Sequence, residues 1–188
     1  MKGQSKSVLL LAAGAIVLLA LGCGAERGGS GGGRTSRIPE CGFSMELPAG
    51  WITEDYAETE FYRRGDREGC WGMAKFCPMS AVGREFAAVA ELAKYLIEDD
   101  RFEGSLSELI SQRPLKLGEV QTDAHEIIFK DTRGGYNFTV FMHMEDREAL
   151  QVFFHVAPAQ YEAFRRQYPA VIESIHLTTK KADWGKAP

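Results

Sequence analysis

Four histidines and four cysteines are the side chains of this chain best suited to metal ligation or nucleophilic chemistry, so their spacing decides what they can do. Cys70 and Cys77 are too far apart in sequence for the usual zinc ligand pair, and no histidine stands beside them. In an oxidising compartment a disulfide is the better use of such cysteines. Cys70–Cys77 reads as one strand, which at ~3.3 Å per residue holds its ends about 23 Å apart. Bridged Cα atoms lie within about 7 Å. Cys41 is therefore the expected partner, with Cys77 as first choice and Cys70 as second, and one thiol is left free. His143 and His155 fall in two neighbouring strand segments. A tight turn at Asp146-Arg147 pairs His143 with Leu150 and His155 with Phe138, which puts the two imidazoles on opposite faces. His125 can join His155 only if its strand adjoins and matches in face.

The remaining chemistry is sparse. Met142 and Met144 alternate as core residues, and Glu98-Asp99-Asp100 reads as a solvated helix end. The serine-hydrolase elbow, the H-E-x-x-H metal helix and the phosphate-cradling glycine loop are absent from the body of the sequence. The expectation is a chain without catalysis or cofactor. A metal-binding protein using histidines and a free cysteine is the alternative.

Ahead of that body, Lys2 and Lys6 precede an uncharged run over Val8–Leu21, followed by Gly22 and Cys23. A basic start, an apolar stretch and small residues in that order make an export signal. The run is shorter than the roughly 18–20 residues that span a bilayer. The segment resembles a bacterial lipoprotein signal, which implies that Cys23 becomes the lipidated first residue of the mature chain. Two or more acyl chains then hold it stably at a membrane. Ala20-x-Gly22 also suits an ordinary signal peptidase, which would release a soluble chain. Gly24 resembles the residue found in lipoproteins directed to the outer membrane. The expected address is thus the cell envelope, lipid-anchored, at the outer membrane facing the periplasm.

Loss of residues 1–22 removes Lys2 and Lys6 from 22 basic side chains and none of the 26 acidic ones, taking the formal charge from −4 to −6. An acidic body does not seek phosphates, which excludes nucleic acid as a partner. Residues 23–40 are rich in glycine and read as a flexible tether. Residues 41–177 form one domain, large enough for its own core, and 178–188 a polar tail.

Within the domain, Phe43, Met45 and Leu47 alternate as a strand stopped by Pro48-Ala49-Gly50, with Trp51 next. Thr59–Arg64 and Cys70–Cys77 flank a turn and form a hairpin. The apolar stripe over Gly83–Asp99 has helical spacing. Ser105-Leu106-Ser107-Glu108 has the capping-box pattern and predicts a second helix through Gln112. Strands follow over Leu115–Val120, Ala124–Lys130, Tyr136–Met144 and Ala149–Val156. The last two are apolar on both faces and so belong to the centre of a sheet covered by helices on each side. A helix from Ala157 to Tyr168, and a fresh turn at Pro169, bring the chain to Ser174-Ile175-His176-Leu177.

The opening Phe43…Leu47-Pro48-x-Gly50-Trp51, the order of elements and the closing Ser174-Ile175 resemble the PsbP-like family over about Gly42–Leu177. That resemblance implies an α+β fold, an antiparallel sheet between helices, and a docking rather than catalytic role. The combined expectation is a membrane-tethered lipoprotein whose domain contacts a protein partner of the envelope, with Trp51 and Trp71 as candidate binding-surface residues.

Overall fold

The computed structural model describes residues 34–53, 59–81, 83–98 and 106–181. The leader, Cys23 and the glycine-rich run lie outside the described residues, as does the tail from residue 182.

Strands with apolar side chains on both faces must be covered twice, and that demand organises the domain. In chain order the elements are β1 (Thr35–Ile38), β2 (Phe43–Glu46), β3 (Trp51–Thr53), β4 (Glu60–Arg63), β5 (Asp66–Pro78), β6 (Ser80–Ala81), β7 (Arg84–Glu85), α1 (Val89–Glu98), β8 (Leu106–Leu117), β9 (Thr122–Asp131), β10 (Tyr136–His143), β11 (Glu148–Val156) and α2 (Tyr161–Glu173). Among the described residues, seven strands form one antiparallel sheet in the order β3-β4-β5-β11-β10-β9-β8. The fold is α+β, a multi-stranded antiparallel sheet flanked by helices. The β10–β11 hairpin is interior to the sheet, as its two apolar faces require.

Even-numbered residues of β10 and β11 face α2 and the β1–β2 hairpin. Phe138, Val140, Phe154, Trp51, Phe61, Phe164 and Tyr168 pack there. Their rings interlock, with centroids 4.7 Å apart for Phe61–Phe154, 5.3 Å for Trp51–Phe154 and 4.8 Å for Phe138–Phe164. Gly72 of β5 permits this, because a Cβ there would collide with the Phe61 ring and the Phe153 carbonyl. On the opposite face, α1 lays Val89, Leu92 and Ala93 over Ile127, Phe129, Phe141 and Ala149.

An ion pair between an exposed guanidinium and a buried carboxylate joins the far edge of the sheet to its interior. Arg113 of β8 donates from Nε (2.7 Å) and Nη2 (3.1 Å) to the two carboxylate oxygens of buried Glu126 on β9. Tyr168 of α2 is wholly buried. Burial first, and then the Glu126 charge, push its phenol well above the ordinary range. Strand β8 is itself an edge, with register shifts between Leu106 and Glu108 and between Leu109 and Ser111, and with Pro114 inside it.

Several expectations are corrected. The helix expected from the capping-box pattern through Gln112 is instead strand β8, whose pairing with β9 overrides local preference; eight consecutive residues, Ser107–Pro114, are exposed, so no alternation marks it. The tether expected over residues 23–40 gives way at Thr35, where β1 pairs with β2 and buries Ser36 and Ile38. Helix α1 starts at Val89 rather than Gly83, because Arg84–Glu85 pairs with Ser80–Ala81. Helix α2 continues through Pro169, held by the burial of Phe164, Tyr168, Val171 and Ile172.

Cys41, Cys70 and Cys77 are free thiols, so the expected Cys41–Cys77 bridge and its Cys70 alternative are both absent. The reason is positional for the first pair. Cys41 and Cys70 belong to the core beneath α2, whereas Cys77 packs on the α1 side. Trp51, expected at a binding surface, is 3% exposed and wedged among three phenylalanines.

Trp51→Ala is expected to lower unfolding free energy by roughly 3–5 kcal/mol, and Trp71→Ala by well under half as much, measured by urea denaturation. Arg113→Ala leaves Glu126 buried without its cation and is expected to cost about 1–3 kcal/mol, much of it returned by adding Glu126→Leu.

Candidate functional site

The odd-numbered residues of the central strands build the site. Helix α1 covers only part of their face, over β9 and β10. Beside it lies an open cleft of about 850 Å³. Its floor carries Trp71 and Lys75 from β5, Gln151, Phe153 and His155 from β11, and Asn137 and Thr139 from β10. Leu92 and Leu96 of α1 form a wall, and the β9–β10 turn with Asp131 and Arg133 closes one end. The cleft is thus apolar toward α1 and polar toward that turn.

The turn is organised by Asp131. Its Oδ1 accepts the backbone N–H groups of Arg133 and Gly135, each at 2.9 Å, and its Oδ2 accepts Asn137 Nδ2 at 3.1 Å. His155 sits over this network, with Nδ1 3.3 Å from Asn137 Oδ1 and 3.5 Å from Asp131 Oδ2. Gly135 allows that placement, because a Cβ would strike the imidazole. Trp71 meets Phe153 edge to face at 5.0 Å and lies 5.9 Å from the His155 ring. Burial lowers the His155 pKa, outweighing the nearby Asp131 carboxylate. The imidazole is accordingly neutral at neutral pH.

The histidine register departs from expectation by one residue. His143 pairs with Ala149 and His155 with Asn137, because Asp146 and Arg147 both adopt positive φ and Met144 N–H bonds the Glu148 carbonyl, leaving Glu145 as an extra residue in the turn. Both imidazoles therefore share one face, instead of opposite ones. They are still six residues apart along the strands, about 20 Å. His125 shares that face too, but on β9, two strands and four residues away from His155, or roughly 16 Å. Two others are engaged separately: His125 Nε2 lies 3.4 Å from Gln112 Oε1, and His176 Nδ1 lies 2.6 Å from Glu119 Oε1. Among the described residues no three metal-ligating side chains come together.

The thiols are equally unreactive. Burial pushes Cys41 and Cys77 up to about 11 and raises Cys70 as well, so all three are protonated at neutral pH. Cys70, expected as a free thiol available to a metal, is wholly buried. Trp71 lines the cleft and Trp51 lies on the other side of the sheet. Asp131, Arg133, Lys75 and Asn137 were missed. A signal for them exists in the sequence: Lys75, Asn137, Thr139 and Gln151 interrupt otherwise apolar strands at alternate positions.

No family model matches the chain, and no curated protein matches it. With its antiparallel sheet between helices, the chain is a distant structural neighbour of PsbP. The solution structure of cyanobacterial PsbP (CyanoP) from Synechocystis sp. PCC 6803 is similar over 84% of this chain and 100% of that one, at 14% identity and a TM-score of 0.49. At that distance the likeness concerns the arrangement of the chain alone. The expected address at the outer membrane facing the periplasm is withdrawn. No helix among the described residues is long and apolar enough to cross a membrane.

The folded state disfavours protonated His155 and His125, whose pKa values are both lowered by burial. The unfolded chain therefore binds more protons as pH falls through about 6.5, and stability declines there while remaining unaffected above it. Urea midpoints are expected to fall between pH 7 and pH 5, and His125→Gln with His155→Gln to flatten that fall.

Proposed function

We propose that the chain is a non-catalytic binding protein, held at a membrane surface by acyl chains on Cys23, whose contact site is the cleft around Trp71. The observation that carries the reading is the cleft itself. Both sides of the central hairpin are apolar enough to demand cover, and one side is left partly open over Trp71 and Phe153. Its size falls within the roughly 300–1,000 Å³ range of binding clefts, and aromatic groups converge there with a few polar ones. Among the described residues no nucleophile–base pair lines the cleft: the neighbouring thiol, Cys77, is protonated, and His155 is turned toward Asn137 and Asp131. The lipid attachment rests on the Leu19–Cys23 sequence, and the partner is placed at the same membrane surface.

Two measurements test this. Mass spectrometry of the native protein is expected to find a chain beginning at acylated Cys23, with the modification lost in Cys23→Ser; an unmodified start downstream of Cys23 removes the tether. A photoreactive residue in place of Trp71 is expected to give a discrete adduct in intact cells, whereas one at Arg165 on the exposed side of α2 does not. Identical patterns from both positions would remove the cleft as the contact site.

A further inference from the structure

We infer that His155 gates the cleft by proton uptake: the neutral imidazole accepts a hydrogen bond from the bound partner through Nε2, and the protonated imidazole releases it. The inference rests on the binding role proposed above and adds the regulation of that site.

The tautomer follows from what Nδ1 faces. Both atoms near it are oxygens, Asn137 Oδ1 at 3.3 Å and the carboxylate Oδ2 of Asp131 at 3.5 Å. Neither oxygen carries a hydrogen. The Asn137 amide is itself oriented by its Nδ2, which donates to Asp131 Oδ2 at 3.1 Å. Nδ1 therefore holds the ring proton, and Nε2 keeps the lone pair. Nε2 has no protein partner among the described residues, and it is not shut away from the cleft.

The ring is also fixed in place. His155 stands across from Trp71 on β5 and from Asn137 on β10, with the indole 5.9 Å away. Gly135 lies so close that a Cβ there would strike the imidazole. A partner resting on this part of the floor must present an O–H or N–H to Nε2. Uptake of one proton from water makes Nε2 an N–H, and no other bond changes. Nδ1–H stays on its two oxygens, so the ring keeps its seat while its free nitrogen changes from acceptor to donor. The donor it held then faces a second donor, and the hydrogen bond is lost.

The surroundings set where this happens. Burial opposes the charged ring most, Asp131 favours it and Arg133 opposes it. From β5 the cleft receives Glu68 and Lys75, three and four residues along from Trp71, and from α1 only Leu92 and Leu96. Asn137 and Thr139 of β10 are uncharged. Release accordingly belongs to pH values below the ordinary histidine range.

The gate is tested on the free chain and in its membrane. Proton NMR of the full chain carrying Cys23→Ser follows each imidazole, and His155 is identified by the signals lost in His155→Gln. Heteronuclear spectra are expected to show neutral His155 with its proton on Nδ1; a proton on Nε2 overturns the inference. Asp131→Asn is expected to move the His155 titration to lower pH and Arg133→Gln to higher pH, and midpoints that stay put overturn it as well. The photoreactive residue at position 71 is then irradiated in isolated membranes at pH 7 and pH 5. Adduct yield is expected to fall at least about threefold, with an unchanged near-ultraviolet circular dichroism spectrum showing that the fold persists. With His155→Gln, which offers an acceptor but takes no proton, equal yields are expected. A yield that holds at pH 5, or falls equally with His155→Gln, overturns the gate and leaves the binding role standing. Absence of the adduct at both pH values removes the binding role and the gate together.

Discussion

The pairing of β10 with β11 is the constraint on which the rest of the molecule depends. Side chains alternate between faces along a strand, so one register assigns sixteen or so residues to their sides at once. Phe138, Val140, Val152 and Phe154 go beneath α2, while Asn137, Thr139, Phe153 and His155 go to the other face. The turn that sets this register contains Glu145 beyond what a two-residue connection needs, and two residues at positive φ. Closing the turn to two residues by pairing Glu145 with Glu148 would instead set Phe138 opposite His155, so that a large apolar ring and an imidazole compete for one side.

The two faces are filled by different kinds of contact. Under α2, aromatic rings meet edge to face and tilted, and Gly72 makes room where two of them converge. A packed layer of that sort has one arrangement and resists change. Over β5 and β11 the opposite face has no comparable lid among the described residues, and polar side chains replace apolar ones as the cover recedes. Rigid backing behind an open floor is the arrangement in which a site holds its shape before a ligand arrives. The Asp131 network extends that stiffness into the β9–β10 turn, since one carboxylate ties two backbone amides and a side-chain amide.

Much of this was legible in the residues. The central hairpin, the helical stripe of α1 and the strand at Phe43 follow from periodicity alone, because each is long or strongly alternating. Strand β8 was not legible. Its residues Ser107–Pro114 are exposed at the sheet edge, so burial leaves no pattern in them, and Ser107 and Glu108 mimic a helix start. Ser107 Oγ in fact lies within hydrogen-bonding reach of the carbonyls of Lys130 and Asp131, across the strand pair. Trp51 and Trp71 show the same limit from another side. Both are large aromatics beside turn or polar residues, and only long-range packing sends one into the core and the other to the cleft. The cysteines failed for a related reason: strand geometry excluded Cys70–Cys77 correctly, but the sidedness of Cys41 depends on how the β1–β2 hairpin docks.

Strand β8 also bears on how many copies of this protein can crowd together. An outermost strand with a straight run of free amides and carbonyls invites a second sheet to zip onto it. Here two slips in the ladder bend that run, Pro114 withholds a donor, and Glu108 and Arg113 put charges beside it. At the other margin, β3 has only three residues. Copies at high local concentration would therefore collide and part as individual bodies, and fibrous stacking through these sheet margins would find no continuous template.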